Sequence, residues 1–167
     1  MNNSIAKVAL AMMQKNAGDI KRIEHSLKVY GYSRNLGVAE SLTPQLLEVL
    51  ELTALLHDIG IHIAEKKYGK CSGQDQEVEG PPVARQILTS LGFNVGIIER
   101  VCFVISKHHT FTAVDGVDFQ LLVEADFLVN SSEDQMSDYQ ITHFAKNIFR
   151  SESGLDYLRL LYPHLVF

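Results

Sequence analysis

At 167 residues, 46% of them hydrophobic, the chain has the size of one domain with enough apolar mass for a core, which excludes disorder as its general state. A formal charge of −5 argues against binding a nucleic-acid polymer through a basic surface. The two cysteines, Cys71 and Cys102, lack CxxC spacing and so suggest neither a zinc knuckle nor a disulfide scaffold; they suit a reducing compartment, as a loop thiol and a core residue.

Helical periodicity dominates. Residues from about 5 to 15 read as a first short helix, ended by Asn16-Ala17-Gly18. Asp19 is placed to cap a second, along which Ile20, Ile23, Leu27, Tyr30 and Arg34 recur at three and four residues, with His25 near the middle. Thr43-Pro44 supplies an N-cap and a proline at the first helical position, predicting a helix to about His57, which Ile59-Gly60 stops or bends. The charged stretch 65–79, with Gly69 and Gly73, is expected to be a mobile loop and, directly after His57-Asp58, a candidate lid. Gly80-Pro81-Pro82 is expected to open a helix carrying Val83, Ile87, Leu88 and Leu91. Leu91-Gly92-Phe93 ends it, and Asn94 caps another through Val101, Val104 and Ile105 to His108-His109. Asp118 is expected to cap the helix containing Asp126, and two more fall near 137–149 and 154–162.

No strand-length alternation competes, so the expectation is one all-α domain over 1–167, with a motif-bearing core at about 19–131 and C-terminal helices at 137–162. No apolar run approaches a membrane span, and Met1-Asn2-Asn3-Ser4-Ile5-Ala6-Lys7 lacks the charged start and long apolar centre of a signal peptide. A cytoplasmic protein without membrane association is therefore expected.

The pair His57-Asp58 carries the most chemistry. It ends the apolar run Leu52-Thr53-Ala54-Leu55-Leu56, placing an imidazole and a carboxylate at the lip of a core, where polar groups without partners are costly. A divalent cation is the usual partner for such a mixture. His25 upstream and Asp126, inside the apolar stretch 121–128, complete an H…HD…D order contributed by three helices. Mn²⁺, Fe²⁺, Ni²⁺, Co²⁺ and Zn²⁺ accept imidazole and carboxylate together, whereas Mg²⁺ prefers oxygen. Four protein ligands leave an octahedral ion two open positions, one for water and one for a substrate oxygen, where it lowers the water's pKa and polarises the electrophile. His108-His109 extends the set: with Asp58 bridging, one or both could complete a second metal position, and two ions about 3.5–4 Å apart suit in-line attack on phosphate esters. Taken singly, each has an ordinary reading too: His25 as a plain helix residue, Asp126 as a cap for a neighbouring helix, His108-His109 as a helix end meeting the dipole.

The H…HD…D order, with Leu55-Leu56-His57-Asp58-Ile59-Gly60 and Val123-Glu124-Ala125-Asp126, resembles the HD-domain superfamily of metal-dependent phosphohydrolases over about 25–126. The resemblance implies the all-α HD fold, His25, His57, Asp58 and Asp126 as ligands of a first divalent metal, and hydrolysis of a phosphate mono- or diester, often of a nucleotide. Departures narrow it. Many members continue His-Asp-Ile-Gly with lysine, whose place Ile61 takes; His62 reads as a surface residue. The Gly-Tyr-Pro of the cyclic-dinucleotide phosphodiesterases does not follow His108-His109, nor does the Glu-Asp pair of the guanosine-tetraphosphate hydrolases follow His57-Asp58. Multimetal members place another histidine ahead of the helix after the loop. Here Gln76-Glu77-Val78-Glu79 offers Glu77 or Glu79 instead, as second-metal ligand or general base, or as a charged helix start.

The implied protein is an HD hydrolase of a small phosphorylated substrate, a nucleotide among the options. Asp58, His108, His109, Glu77, Glu79 and Lys107 are its candidate catalytic residues, and His25, His57, Asp58, Asp126, His108 and His109 its candidate metal ligands. Lys66, Lys67, Lys70 and Arg85 are further cations available to a phosphate, with Lys107, beside the histidines, the best placed. Two rivals share the fold: a di-iron oxygenase, against which the missing histidine near 77–79 counts, and a non-catalytic sensor or scaffold stabilised by its metal. The apolar residues 160–167 dock either on their own core or on a second subunit, which makes a homo-oligomer an option.

Overall fold

Short polar side chains set where the helices of this chain begin. Asp19 accepts the Arg22 N–H, Thr43 that of Leu46, and Asn94 that of Ile97, each the N-cap expected from sequence. In the computed structural model, which describes residues 3–167, the helices are α1 (Asn3–Lys15), α2 (Ile20–Ala39), α3 (Pro44–Leu56), α4 (Ile61–Tyr68), α5 (Gly73–Ser90), α6 (Val95–Ile105), α7 (Val117–Glu133), α8 (Asp138–Ile148) and α9 (Glu152–Leu161). A 3-10 turn spans Phe111–Ala113, and the described residues contain no strand. Among them no helix is long and apolar enough to cross a membrane.

Every residue of α3 from Val49 to Leu56 is buried, which makes it the central helix: α1, α2, α6 and α7 all pack on it. Its polar members are neutralised locally. Thr53 Oγ1 donates to the Val49 carbonyl at 2.7 Å, and Glu51 pairs with Arg34. Two apolar clusters flank α3. One joins α2, α7, α8 and α9 around Phe119, Leu122 and Leu128; the other joins α1, α3, α5 and α6 around Met12, Leu56, Leu88 and Ile105. Tyr162, Leu165 and Phe167 pack on the first cluster, while Leu160 and Val166 stay exposed, so the C-terminal segment docks in part on its own core. Cys71 is half-buried and Cys102 buried, both as free thiols.

The structure corrects the expected loop at 65–79. α4 continues to Tyr68, Gly69 closes it at φ +72°, and α5 starts at Gly73. The reason is a reciprocal cap: Ser72 Oγ accepts the Asp75 N–H at 3.2 Å, and the Asp75 carboxylate accepts the Ser72 N–H at 2.8 Å. Pro81 and Pro82 therefore lie inside α5 rather than at its start. Asp118 does not cap α7 either. Gly116 occupies the cap position, and Asp118, buried in the first turn, takes two hydrogen bonds from Arg100 at 2.8 and 2.7 Å; a buried carboxylate gains more from a guanidinium than from backbone N–H groups. α6 also stops short of the histidines, at Ile105, leaving His108 and His109 in the turn beyond it.

α5 crosses the turn after Asp58 backbone to backbone. A Cβ on Gly60 would lie 2.5 Å from the Gly80 nitrogen, with no flexible side chain to yield. Gly60→Ala is accordingly expected to destabilise the fold by about 1–3 kcal/mol, the usual range for overpacking. The urea midpoint checks it, and an unchanged midpoint would mean that α5 is free to shift.

Candidate metal centre

Four helices bring the H…HD…D residues and the His108-His109 pair to one point beside the C-terminal end of α3. His25 comes from the middle of α2, His57 and Asp58 from the end of α3, His108 and His109 from the turn after α6, and Asp126 from the middle of α7. His25 and His57 meet Nε2 to Nε2 at 3.2 Å. Asp126 Oδ1 lies 3.2 Å from His25 Nε2 and 3.6 Å from His57 Nε2. Asp58 spans two groups: its Oδ2 is 3.6 and 3.5 Å from the Nε2 atoms of His25 and His57, and its Oδ1 is 3.5 Å from His108 Nε2.

The tautomers follow from what faces the other ring nitrogen. His57 Nδ1 is 2.8 Å from the Ala54 carbonyl, and His108 Nδ1 is 2.7 Å from the Ile105 carbonyl. A carbonyl oxygen only accepts, so each Nδ1 carries a proton and each neutral ring presents the Nε2 lone pair. His25 Nδ1 sits 3.0 Å from the Glu133 carboxylate, which also receives Lys28, and is fixed the same way. Three lone pairs and two carboxylates thus converge, an arrangement that repels itself unless a cation joins it. Among the described residues, His108 Nε2 is buried with no hydrogen-bond partner. Donor atoms of His25, His57 and Asp58 lie within 4.8 Å of one another, and so do those of Asp58, His108 and His109. The donor set, imidazole nitrogen with carboxylate oxygen, fits a divalent transition metal, and the Asp58 carboxylate can serve two positions.

Charge coupling inside the cluster is strong. Burial works against a charge on His57, yet Asp58 and Asp126 outweigh it and push its pKa up to about 9. Asp126 is held well below the usual carboxylate range, since the bonds to His25 and His57 overcome the opposing burial; Asp58, likewise against burial, is pulled to about 2 mainly by His57. Burial and the neighbouring His108 push His109 down to about 4. Below about pH 9 a proton on His57 therefore stands where a metal would, and an incoming ion must displace it. Calorimetric titration of the metal-free chain with Mn²⁺ near pH 7.5 is expected to release that proton, with a heat that varies with the buffer's ionisation enthalpy and an affinity that rises with pH up to about 9. Heats that do not depend on the buffer would contradict this.

The remaining candidates are placed elsewhere. Glu77 accepts from the His109 N–H at 3.1 Å and from the Thr110 hydroxyl at 2.9 Å, bracing the turn that carries the histidines. Glu79 pairs with Lys67 at 2.8 Å and Tyr68 at 2.7 Å on the α4 side of α5, away from the cluster, and Lys107, beside His108 in sequence, is exposed. His62 lies on the surface with Arg22 and Glu65.

Sequence reasoning missed three supporting residues. Asn130 Nδ2 donates to Asp126 Oδ1 at 2.9 Å, and Glu133 holds His25. Both lie one and two helical turns after Asp126, a spacing that could have singled them out. Gln76 Oε1 lies 2.7 Å from His109 Nε2, so that nitrogen donates and Nδ1 is left with the lone pair. Only the tertiary contact reveals Gln76.

The family model of the HD domain matches residues 22–139, which include all six candidate ligands. The crystal structure of a predicted HD superfamily hydrolase from an uncultured Thermotogales bacterium is similar in fold, with a TM-score of 0.66 at 20% identity over 97% of this chain and 85% of that one. No curated protein matches the chain.

Proposed function

The chain belongs to the HD-domain family, and from that membership and the geometry of the centre we propose that it is a metal-dependent phosphohydrolase acting on a small phosphorylated molecule, a nucleotide among the options. The observation that carries the reading is the single carboxylate of Asp58 shared between His25–His57 and His108–His109. His25, His57, Asp58 and Asp126 would hold one ion; Asp58, His108 and His109 would hold a second. Bound there, divalent ions supply Lewis acidity and a water of lowered pKa to an in-line displacement at phosphorus.

The chain's own residues do the positioning. The Ala54 and Ile105 carbonyls fix the rings of His57 and His108, Asn130 steadies Asp126, and Gln76 with Glu77 sets His109. Asp58 and Asp126 stay ionised because the neighbouring imidazoles hold their carboxyls far below neutrality, which suits them to bind cations and makes them poor acceptors for a water's proton. The metals would neutralise phosphate charge directly, whereas Lys107 is exposed and pairs with none of the clustered histidines and aspartates. Side chains of Asp58 and Asp126 remain 19% and 17% exposed, and Asp126 borders a cavity, which supports an open catalytic site over a closed structural one.

The test is release of inorganic phosphate from a panel of phosphate monoesters and diesters by chain loaded with Mn²⁺, Co²⁺, Ni²⁺ or Zn²⁺. Turnover that chelation abolishes and metal restores is expected. No release from any ester, with the metal content verified, would overturn the proposal, and oxygen consumption by an iron-loaded form would replace it with the oxygenase.

A further inference from the structure

Asp126 and His109 also border an open cavity of about 380 Å³ lined by residues of α7, α8 and the Phe111–Ala113 turn. Its inner wall is aromatic: Phe144 stacks on Phe127 with centroids 3.8 Å apart and meets Phe111 edge-on at 5.3 Å. At its outer edge Tyr139 and His143 of α8 stack on each other at 5.6 Å. Tyr139 is 74% exposed and His143 is exposed too, so these two rings carry aromatic surface that the fold does not cover. Lining carboxylates come from Asp126 and Asp134, and among the described residues no lysine or arginine lines the cavity. An anion is welcome at the metal end alone; a second one reaching toward α8 meets Asp134 and finds no lysine or arginine to pair with.

Two amides complete the lining. Asn130 gives its NH₂ to Asp126, and the capping box of α8 takes the Gln140 carbonyl through the Ser137 N–H and hydroxyl at 2.9 Å each. What they have left is one carbonyl acceptor on Asn130 and one NH₂ donor on Gln140. Apolar walls with a few fixed polar groups are the usual make-up of a small-molecule site, and aromatic walls favour a flat partner.

We propose that this cavity is the specificity site, taking the organic group of a phosphate monoester: a flat aromatic ring system with no charge of its own, selected by Tyr139, His143 and Asp134. The inference rests on the phosphate-ester reading above, and it makes α8, which contributes no metal ligand, the element that chooses the substrate.

Inert phosphonates test it by binding to Mn²⁺-loaded chain. Benzylphosphonate and cyclohexylmethylphosphonate share one anion and one carbon count, and differ in whether the ring is flat. Benzylphosphonate is expected to bind about 3–10-fold tighter, the scale of an aromatic contact. Tyr139→Ala and His143→Ala, at exposed positions, should bring that ratio toward unity. 4-Carboxybenzylphosphonate should bind about 10-fold more weakly than benzylphosphonate, and Asp134→Lys should reverse the order, a gain that no misfolded variant produces. Equal affinities for the two rings, or ratios that none of the three substitutions moves, would overturn the inference and leave the phosphate-ester reading standing. No binding of any phosphonate by metal-loaded chain would overturn both.

Discussion

Asp58→Asn is expected to remove both metal ions and, with them, essentially all hydrolysis. The substitution keeps the side chain's volume and takes away its charge. Oδ2 faces His25 and His57, and Oδ1 faces His108, so no other residue can replace the bridge. Losing a group that merely orients a ligand typically costs about 10–100-fold in metal affinity. Losing a ligand shared by two ions should exceed that for each of them, and the activity loss should compound as the sites act as a unit. Elemental analysis of the purified variant, beside phosphate release under saturating Mn²⁺, reads both effects. Retention of two ions per chain would show that the carboxylate does not bridge.

His108→Leu is expected to separate the two positions. The group made by His25, His57 and Asp58, with Asp126 against both histidines, stays whole, while the second keeps only Asp58 and His109. One ion should remain, with turnover lower by about 10²-fold or more, the scale seen when one transition-state contact is lost. The fold itself should hardly notice. Losing the hydrogen bond to Ile105 costs about 1 kcal/mol, but the orphaned, buried Nε2 goes too, and such an atom is worth about 1–3 kcal/mol against the fold. Metal-free Tm should therefore stay within a few degrees of the natural chain's, whereas the rise in Tm on adding Mn²⁺ shrinks. A large fall in the metal-free Tm would mean that His108 serves packing first.

The helical frame was readable because its signals are local. Asp19, Thr43-Pro44 and Asn94 announce helix starts through their own side chains, and the buried run of α3 shows as uninterrupted apolar sequence. The H…HD…D residues were readable because a histidine and an aspartate beside such a run are chemically out of place. Where reading failed, a local cue pointed the wrong way or a distant partner decided. Pro81-Pro82 suggests a helix start, yet the cap formed by Ser72 and Asp75 begins the helix two turns earlier. Asp118 has a cap's spacing, yet Arg100, eighteen residues away, claims its carboxylate. Glu77 and Glu79 look alike in sequence; one braces the histidine turn and the other pairs with Lys67 only because α5 sets them on different faces. Gln76 and its contact with His109 have no trace in the sequence at all.

His57 and His108 share one device: each follows the end of a helix and gives its Nδ1 proton to the carbonyl three residues earlier. Each imidazole is thus welded to the last turn of its own helix, α3 or α6, and those helices pack directly on each other. Were ions held at both positions, their separation would be a rigid-body quantity, a ruler laid between neighbouring helix axes rather than a matter of rotamers. Side chains such as Leu56 and Ile105, which touch no metal, become its graduations. Trimming either would register as a change in the magnetic exchange between paired manganese ions, so spectroscopy at the centre could report on packing in the oily layer beneath it.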